Sequence, residues 1–143
     1  MHGLKKRYSI FKNLHLTISV ILIIPIALVY GLYPGFILPK LFDFKIEGSD
    51  LANIFRAIMG LYLGMATLWI IGIFKPGFWI TATITNIVFM GGLSLGRLLS
   101  LASDGLPSIF LLSGFILELA LSFLAFKNLK KYGDYVCKQL KKL

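Results

Sequence analysis

Four long apolar runs, at residues 14–33, 51–74, 78–101 and 106–126, cover 89 of the 143 residues. No other property of the chain restricts its fold as strongly. A helix needs about 20 mostly apolar residues to cross a bilayer, and each run is long enough, some with tilt. The length permits one domain, and with most of the chain in lipid no separate soluble core is left. The expected fold is all-α: an antiparallel bundle of four transmembrane helices, followed by an amphipathic tail at 127–143. Composition agrees. The chain is 57% hydrophobic and 15% charged, where a soluble domain carries about 25% charged residues.

The first run resembles a secretory leader, because Lys5, Lys6 and Arg7 precede it. It is long, however, and leads into Tyr33-Pro34-Gly35 without an A-x-A-like cleavage site, so it reads as an uncleaved span.

Charge sets the expected orientation. The net charge is +9. Lys5, Lys6, Arg7 and Lys12 precede the first span, Lys75 lies between the second and third, and Lys127, Lys130, Lys131, Lys138, Lys141 and Lys142 follow the fourth. The opposite side carries Lys40 and Lys45 together with Asp43, Glu47, Asp50 and Asp104. The positive-inside rule then places both termini in the cytoplasm. The lysines flank spans, so they point to orientation and to anionic lipid headgroups rather than to nucleic acid. In the tail, Leu129, Val136, Leu140 and Leu143 recur at helical spacing between lysines, the pattern of a helix lying on the inner membrane surface. Gly133 weakens that helix, and a partner-binding tail is the alternative.

The single cysteine, Cys137, excludes an internal disulfide, and its expected compartment keeps thiols reduced. His2 and His15 both sit near the N-terminus, and no His, Cys and carboxylate cluster has ligand spacing. No metal or other cofactor is expected.

The connections are short. Lys75-Pro76-Gly77 makes the second and third spans antiparallel neighbours. Asp104 and Asp50 are placed to cap the fourth and second helices. Pro25 predicts a kink in the first span. The segment 34–49 is the only sizeable loop, rich in apolar and aromatic residues, and is expected to lie in the membrane interface or cover the bundle mouth. Gly60-Leu61-Tyr62-Leu63-Gly64 matches Gly92-Leu93-Ser94-Leu95-Gly96 as G-L-x-L-G. Both hold the GxxxG spacing that lets membrane helices approach closely. Gly60 and Gly92 each lie about 13 Å below the outer helix ends, so the two helices are expected to touch there.

Three charges lie inside spans: Arg56, Arg97 and Glu118. Each costs about 2.5–3.5 kcal/mol at membrane depth, so it is paired, hydrated or used. Arg56 lies about 8 Å down the second helix, Arg97 about 6 Å from the outer end of the third, and Glu118 roughly 16–18 Å below the start of the fourth. Helical side chains lean toward their own N-terminus, so Arg97 leans down, Glu118 leans up, and the two converge. Arg56 leans outward, toward Asp50, Asp104 or the headgroups. Asn86, Leu93, Arg97, Ser100 and Asp104 share a face of the third helix. Gly114, Glu118 and Ser122 share one on the fourth, and Asn53, Arg56, Gly60 and Gly64 run close together on the second.

Two readings of these charges stand side by side. In one, Arg97 and Glu118 form a buried ion pair that fixes helix register. In the other, Arg56, Arg97 and Glu118, with Asn53, Ser100 and Asp104, line an outward-facing pocket for a small anion or lipid headgroup. Two arginines against one glutamate leave a positive charge over, which favours an anionic guest. Arginine also binds carboxylate and phosphate in a bidentate fork.

The run Asn53-Ile54-Phe55-Arg56-Ala57, both G-L-x-L-G segments, Arg97, Ser100, Asp104-Gly105, Pro107 and Glu118 resemble a family of small bacterial four-helix membrane proteins catalogued as a domain of unknown function. The resemblance covers roughly residues 10–130. It implies a four-span bundle in a bacterial inner membrane and brings no activity. DoxX-like four-helix proteins are similar at a greater distance.

The expected function is therefore a small binding or transport bundle, with membrane lipids and a small anionic ligand as partners. The alternative is a structural or accessory protein with a membrane partner or a second copy of itself. Small multidrug-type exporters share the size and an intramembrane glutamate, but the dual-topology members need a weak Lys/Arg bias. An enzyme acting on headgroups has no nucleophile–base pair or metal motif in its favour.

Overall fold

The computed structural model describes residues 2–42, 46 and 48–140, with side chains from Phe11 onward except Gln139. Five helices follow one another: α1 (His2–Gly31), α2 (Pro34–Leu41), α3 (Ser49–Phe74), α4 (Trp79–Asp104) and α5 (Ile109–Leu140). A single 3-10 turn, Pro76–Phe78, joins α3 to α4. The four long helices are each long and apolar enough to cross a membrane, over Phe11–Gly31, Ser49–Phe74, Pro76–Asp104 and Ile109–Lys138. Their outward faces carry large apolar side chains such as Val88, Leu99, Ile109 and Phe123. The protein is thus an all-α, multi-pass membrane bundle.

Local chemistry sets the breaks. Gly48 and Gly105 have φ of 84° and 89°, a region that favours glycine, and they flank the start of α3 and the end of α4. Pro34 occupies the first turn of α2, where its missing N–H costs nothing. The Lys75 N–H returns to the Ile71 carbonyl at 2.7 Å, and Pro76-Gly77 then reverses the chain.

The bundle has a terminal end, with the start of α1, the 76–78 turn and the end of α5, and a far end, with α2 and the α4–α5 connection. Helix α1 packs mainly on α3, and α4 on α5, with α3 against α4 between them. The core gathers Leu16, Tyr62, Trp69, Trp79 and Met90. Phe89 stands edge-on to Tyr62 at 5.2 Å and to Trp69 at 5.6 Å, joining α3 to α4.

Several expectations are corrected. Gly60, Gly64, Gly92 and Gly96 face outward, with open space where a Cβ would sit. Tyr62 lies on the opposite side of α3 from Gly60 and Gly64, and Met90 and Ser94 take the inward side of α4, so the aromatic and bulky residues won the interface. The close approaches use other glycines. A Cβ on Gly72 would clash with Ala82, one on Gly31 would stand 2.5 Å from Met59, and one on Gly91 would lie 3.2 Å from the Ser122 hydroxyl.

Neither aspartate caps a helix. Gly48 holds the position before α3, so Asp50 falls within its first turn without a capping bond. Asp104 is the last residue of α4, and α5 starts five residues on, where the Ser108 carbonyl takes the Leu112 N–H at 3.0 Å.

The 34–49 segment is partly helical. Leu38 is buried, and Lys40 stands 3.5 Å over the Phe36 ring. Asp43, Phe44, Lys45 and Glu47 lie outside the described residues. Pro25 sits inside α1, which continues past it to Gly31.

The tail is helical as expected, but it is a direct continuation of α5 rather than a separate surface helix. Tyr132 and Val136 are buried, and Leu129 and Leu140 pack against the core. The same apolar stripe thus runs through span and tail. Over 32 residues α5 is about 48 Å long, which exceeds the about 30 Å hydrocarbon thickness.

Candidate functional site

Arg97 lies about 10 Å from the far end of α4, and Glu118 about 14 Å from the start of α5. The helices are antiparallel, and each side chain leans toward its own helix start. The two therefore meet: Arg97 Nε donates to Glu118 Oε2 at 2.8 Å. The pair is partly buried, with the side chains 25% and 12% exposed. Only Nε is engaged. The two Nη groups of Arg97 and Oε1 of Glu118 have no hydrogen-bond partner among the described residues.

Gly114, one turn before Glu118, makes room for the guanidinium. A Cβ there would stand 3.5 Å from Arg97 Nη2. Ser122, one turn after Glu118, donates to the Ile87 carbonyl at 3.2 Å and fastens α5 to α4 below the pair.

The pair forms the floor of a cavity of about 320 Å³. Its walls come from Pro25, Ile26 and Val29 on α1 and from Phe110, Gly114 and Leu117 on α5. Tyr30 and Tyr62 add two phenol rings, 5.9 Å apart and tilted. Leu41 and Phe42, at the end of α2, form part of the lining, so the apolar segment reaches the cavity. A second, smaller pocket of about 60 Å³ opens beside Arg97 against Ser100, Pro107 and Phe115.

Of the other residues expected here, Ser100 borders the smaller pocket and the rest are elsewhere. Arg56 and Asn53 are exposed on α3 and line neither pocket. Ser100 donates to Asp104 Oδ2 at 2.8 Å at the exposed end of α4, and Asp104 lines neither pocket. Asn86 is fully buried nearer the terminal end, with no partner for either amide atom among the described residues. Among the described residues the pocket's formal charge is therefore balanced, since Arg56 is not part of it.

A second polar cluster escaped the sequence reading. Asn128 Nδ2 lies 3.2 Å from the Phe11 carbonyl, 3.3 Å from the Lys12 carbonyl and 3.0 Å from His15 Nδ1. Two carbonyl neighbours require a donor, which makes His15 Nδ1 the acceptor. The proton then sits on His15 Nε2, which donates to Thr83 Oγ1 at 3.1 Å, and Thr83 passes its own hydrogen to the Trp79 carbonyl at 2.8 Å. This neutral relay ties α1, α4 and α5 together at the terminal end. His15 also meets Trp79 edge-on at 6.1 Å, and the Lys12 ammonium lies 5.2 Å over the same indole. Asn128 lies among lysines just past the fourth apolar run, where an asparagine is ordinary, and nothing in spacing ties it to a histidine 113 residues earlier.

Among the described residues no group of three His, Cys, Asp or Glu side chains gathers to hold a metal. No curated protein and no solved structure matches the chain significantly. One family model does match, over residues 11–128, a stretch that reaches into all four membrane helices and includes the Arg97–Glu118 pair and the His15–Asn128 cluster. The chain belongs to the family described as a domain of unknown function, DUF4345.

Proposed function

We propose that this protein is a non-catalytic membrane binding bundle, and that its cavity holds the oxyanion of a small or lipid-like guest on Arg97. One observation carries the reading: an apolar cavity of about 320 Å³ ends on a guanidinium that uses one of its three nitrogens. The volume falls at the lower end of the about 300–1,000 Å³ of small-molecule sites, which combine apolar walls with a few placed polar groups. Arginine is suited to carboxylate or phosphate because its N–H groups form a planar fork. The lysine distribution supports a cytoplasmic membrane with both termini inside, and the resemblance to small bacterial proteins supports a bacterial one. The far end and the cavity would then face outward.

Native mass spectrometry of the protein in mild detergent, beside Arg97→Gln, tests this. A bound mass in wild type that is lost in the variant supports the pocket. Equal spectra with a merely less stable variant oppose it.

A structural reading competes, favoured by the 2.8 Å contact itself. There Arg97 and Glu118 only fix the register of α4 on α5. Replacing both with apolar residues separates the two, because a register lock tolerates the double change better than either single one. A pocket loses its guest in both variants that lack Arg97, whatever their stability.

A further inference from the structure

The cavity's charge and its opening narrow the class of guest. Resting on the binding reading above, we propose that the guest is a single-chain zwitterionic amphiphile. Its phosphate sits on the Nη groups of Arg97, its ammonium group against Oε1 of Glu118 and the tyrosine rings, and its alkyl chain between α1 and α5.

The first argument is charge complementarity. Arg97 and Glu118 cancel, and Arg56 lies on the exposed side of α3 outside the cavity. A guest with net negative charge would bring an uncompensated charge into a poorly hydrated site, which is costly. The pair's unused atoms are of both kinds, donors on Nη and an acceptor on Oε1. A zwitterion completes both and leaves the site neutral. Tyr30 and Tyr62 line the same cavity, and phenol faces attract an alkylated ammonium.

The second argument is the shape of the walls. Helices α1 and α5 are tied together at the terminal end through Asn128 and its contacts with Phe11, Lys12 and His15. In the far half the cavity lies between them. Ile26, Phe110 and Leu117 line it and are also exposed on the outward surface, so the gap opens sideways toward lipid. The charged floor and the apolar side opening match a head and a chain. The cavity volume suits one chain rather than two.

Three probes test the proposal on the full chain in maltoside micelles: dodecylphosphocholine, dodecyl phosphate and phosphocholine without a chain. Adducts retained from an equimolar mixture are counted by native mass spectrometry. Gly114→Leu corrects for non-specific uptake, because its side chain covers the Arg97 Nη groups without removing either member of the pair. The expected result is about tenfold preference for dodecylphosphocholine over dodecyl phosphate, with phosphocholine held more weakly still, and loss of the preference in Gly114→Leu. In Glu118→Gln the unbalanced arginine should reverse the preference toward dodecyl phosphate.

Dodecyl phosphate held as well as dodecylphosphocholine by wild type would overturn the zwitterion while leaving an oxyanion pocket. Phosphocholine held as well as its dodecyl ester would overturn the chain. Equal retention of all three in wild type and Gly114→Leu would overturn the pocket itself, and with it the binding function. Should Glu118→Gln fail to fold, the wild-type and Gly114→Leu comparison decides alone.

Discussion

Asn128 Nδ2 stands 3.0 Å from His15 Nδ1, within reach also of two carbonyls of the same α1 turn, so one amide nitrogen fastens α5 to α1. His15 is fully buried, and its other nitrogen is taken by Thr83. Removing the amide leaves a buried imidazole acceptor without a donor. Asn128→Leu should cost about 1–3 kcal/mol of stability, and Thr83→Val a similar amount through His15 Nε2. Thermal unfolding in detergent reads both. A shift within error for both would mean that the relay does not hold the terminal end together.

The Arg97–Glu118 pair gives a cycle with a defined sign. Either single change to methionine leaves its partner charged and unpaired, at a cost of about 3–5 kcal/mol. The double change removes both charges and should be less damaging than the sum of the two by more than 1 kcal/mol, roughly the scale of coupling between contacting residues. Denaturant unfolding in mixed micelles measures it. Additive costs would show that the 2.8 Å contact contributes nothing of its own.

Much of this was legible in the sequence, and the failures have physical causes. Run length gave the four spans. The antiparallel sense of α4 and α5, with the lean of helical side chains, gave the Arg97–Glu118 meeting. Helix ends decided the rest. The far end of α4 extends to Asp104 and the start of α5 waits until Ile109, which brings the two charges to within about 4 Å of one depth, where the expected ends at 101 and 106 had set them further apart. Glycine roles were misread because GxxxG records spacing and not direction. Which face turns inward depends on larger neighbours: Tyr62 on α3, and Met90 on α4. Arg56 was counted into the pocket for its depth and for its place beside Asn53, Gly60 and Gly64, and all four are exposed on α3.

That difference among glycines can be measured. Gly72→Ala would push a methyl group into Ala82 across the α3–α4 contact, and overpacking of this kind costs about 1–3 kcal/mol. Gly60→Ala and Gly92→Ala meet nothing, and alanine is the better helix former by about 1 kcal/mol, so these variants should be neutral or slightly stabilised. If Gly60→Ala unfolded as readily as Gly72→Ala, the outward assignment of that face would fail.

Orientation can be read with the protein's own thiol. Cys137 is the only cysteine and is exposed near the end of α5. With both termini inside, a membrane-impermeant maleimide should label it only after the membrane is opened. Leu106 is exposed in the far-end connection, so Leu106→Cys in a Cys137→Ser background should label in intact cells. The opposite pattern would invert the bundle and turn the cavity toward the cytoplasm.

Asn86 provides the test with the least expected sign. Its amide is fully buried on the inward side of α4, one turn from Thr83, and neither amide atom has a partner among the described residues. A buried polar group without a hydrogen bond carries a desolvation cost of about 1–3 kcal/mol, and an apolar replacement of similar volume removes it. Asn86→Leu should therefore raise the unfolding temperature, opposite in direction to Asn128→Leu, although both replace a buried asparagine in the same bundle. A fall in unfolding temperature would show instead that the Asn86 amide is satisfied, by water held inside the bundle, and that the polar interior reaches from the His15 relay toward the cavity floor.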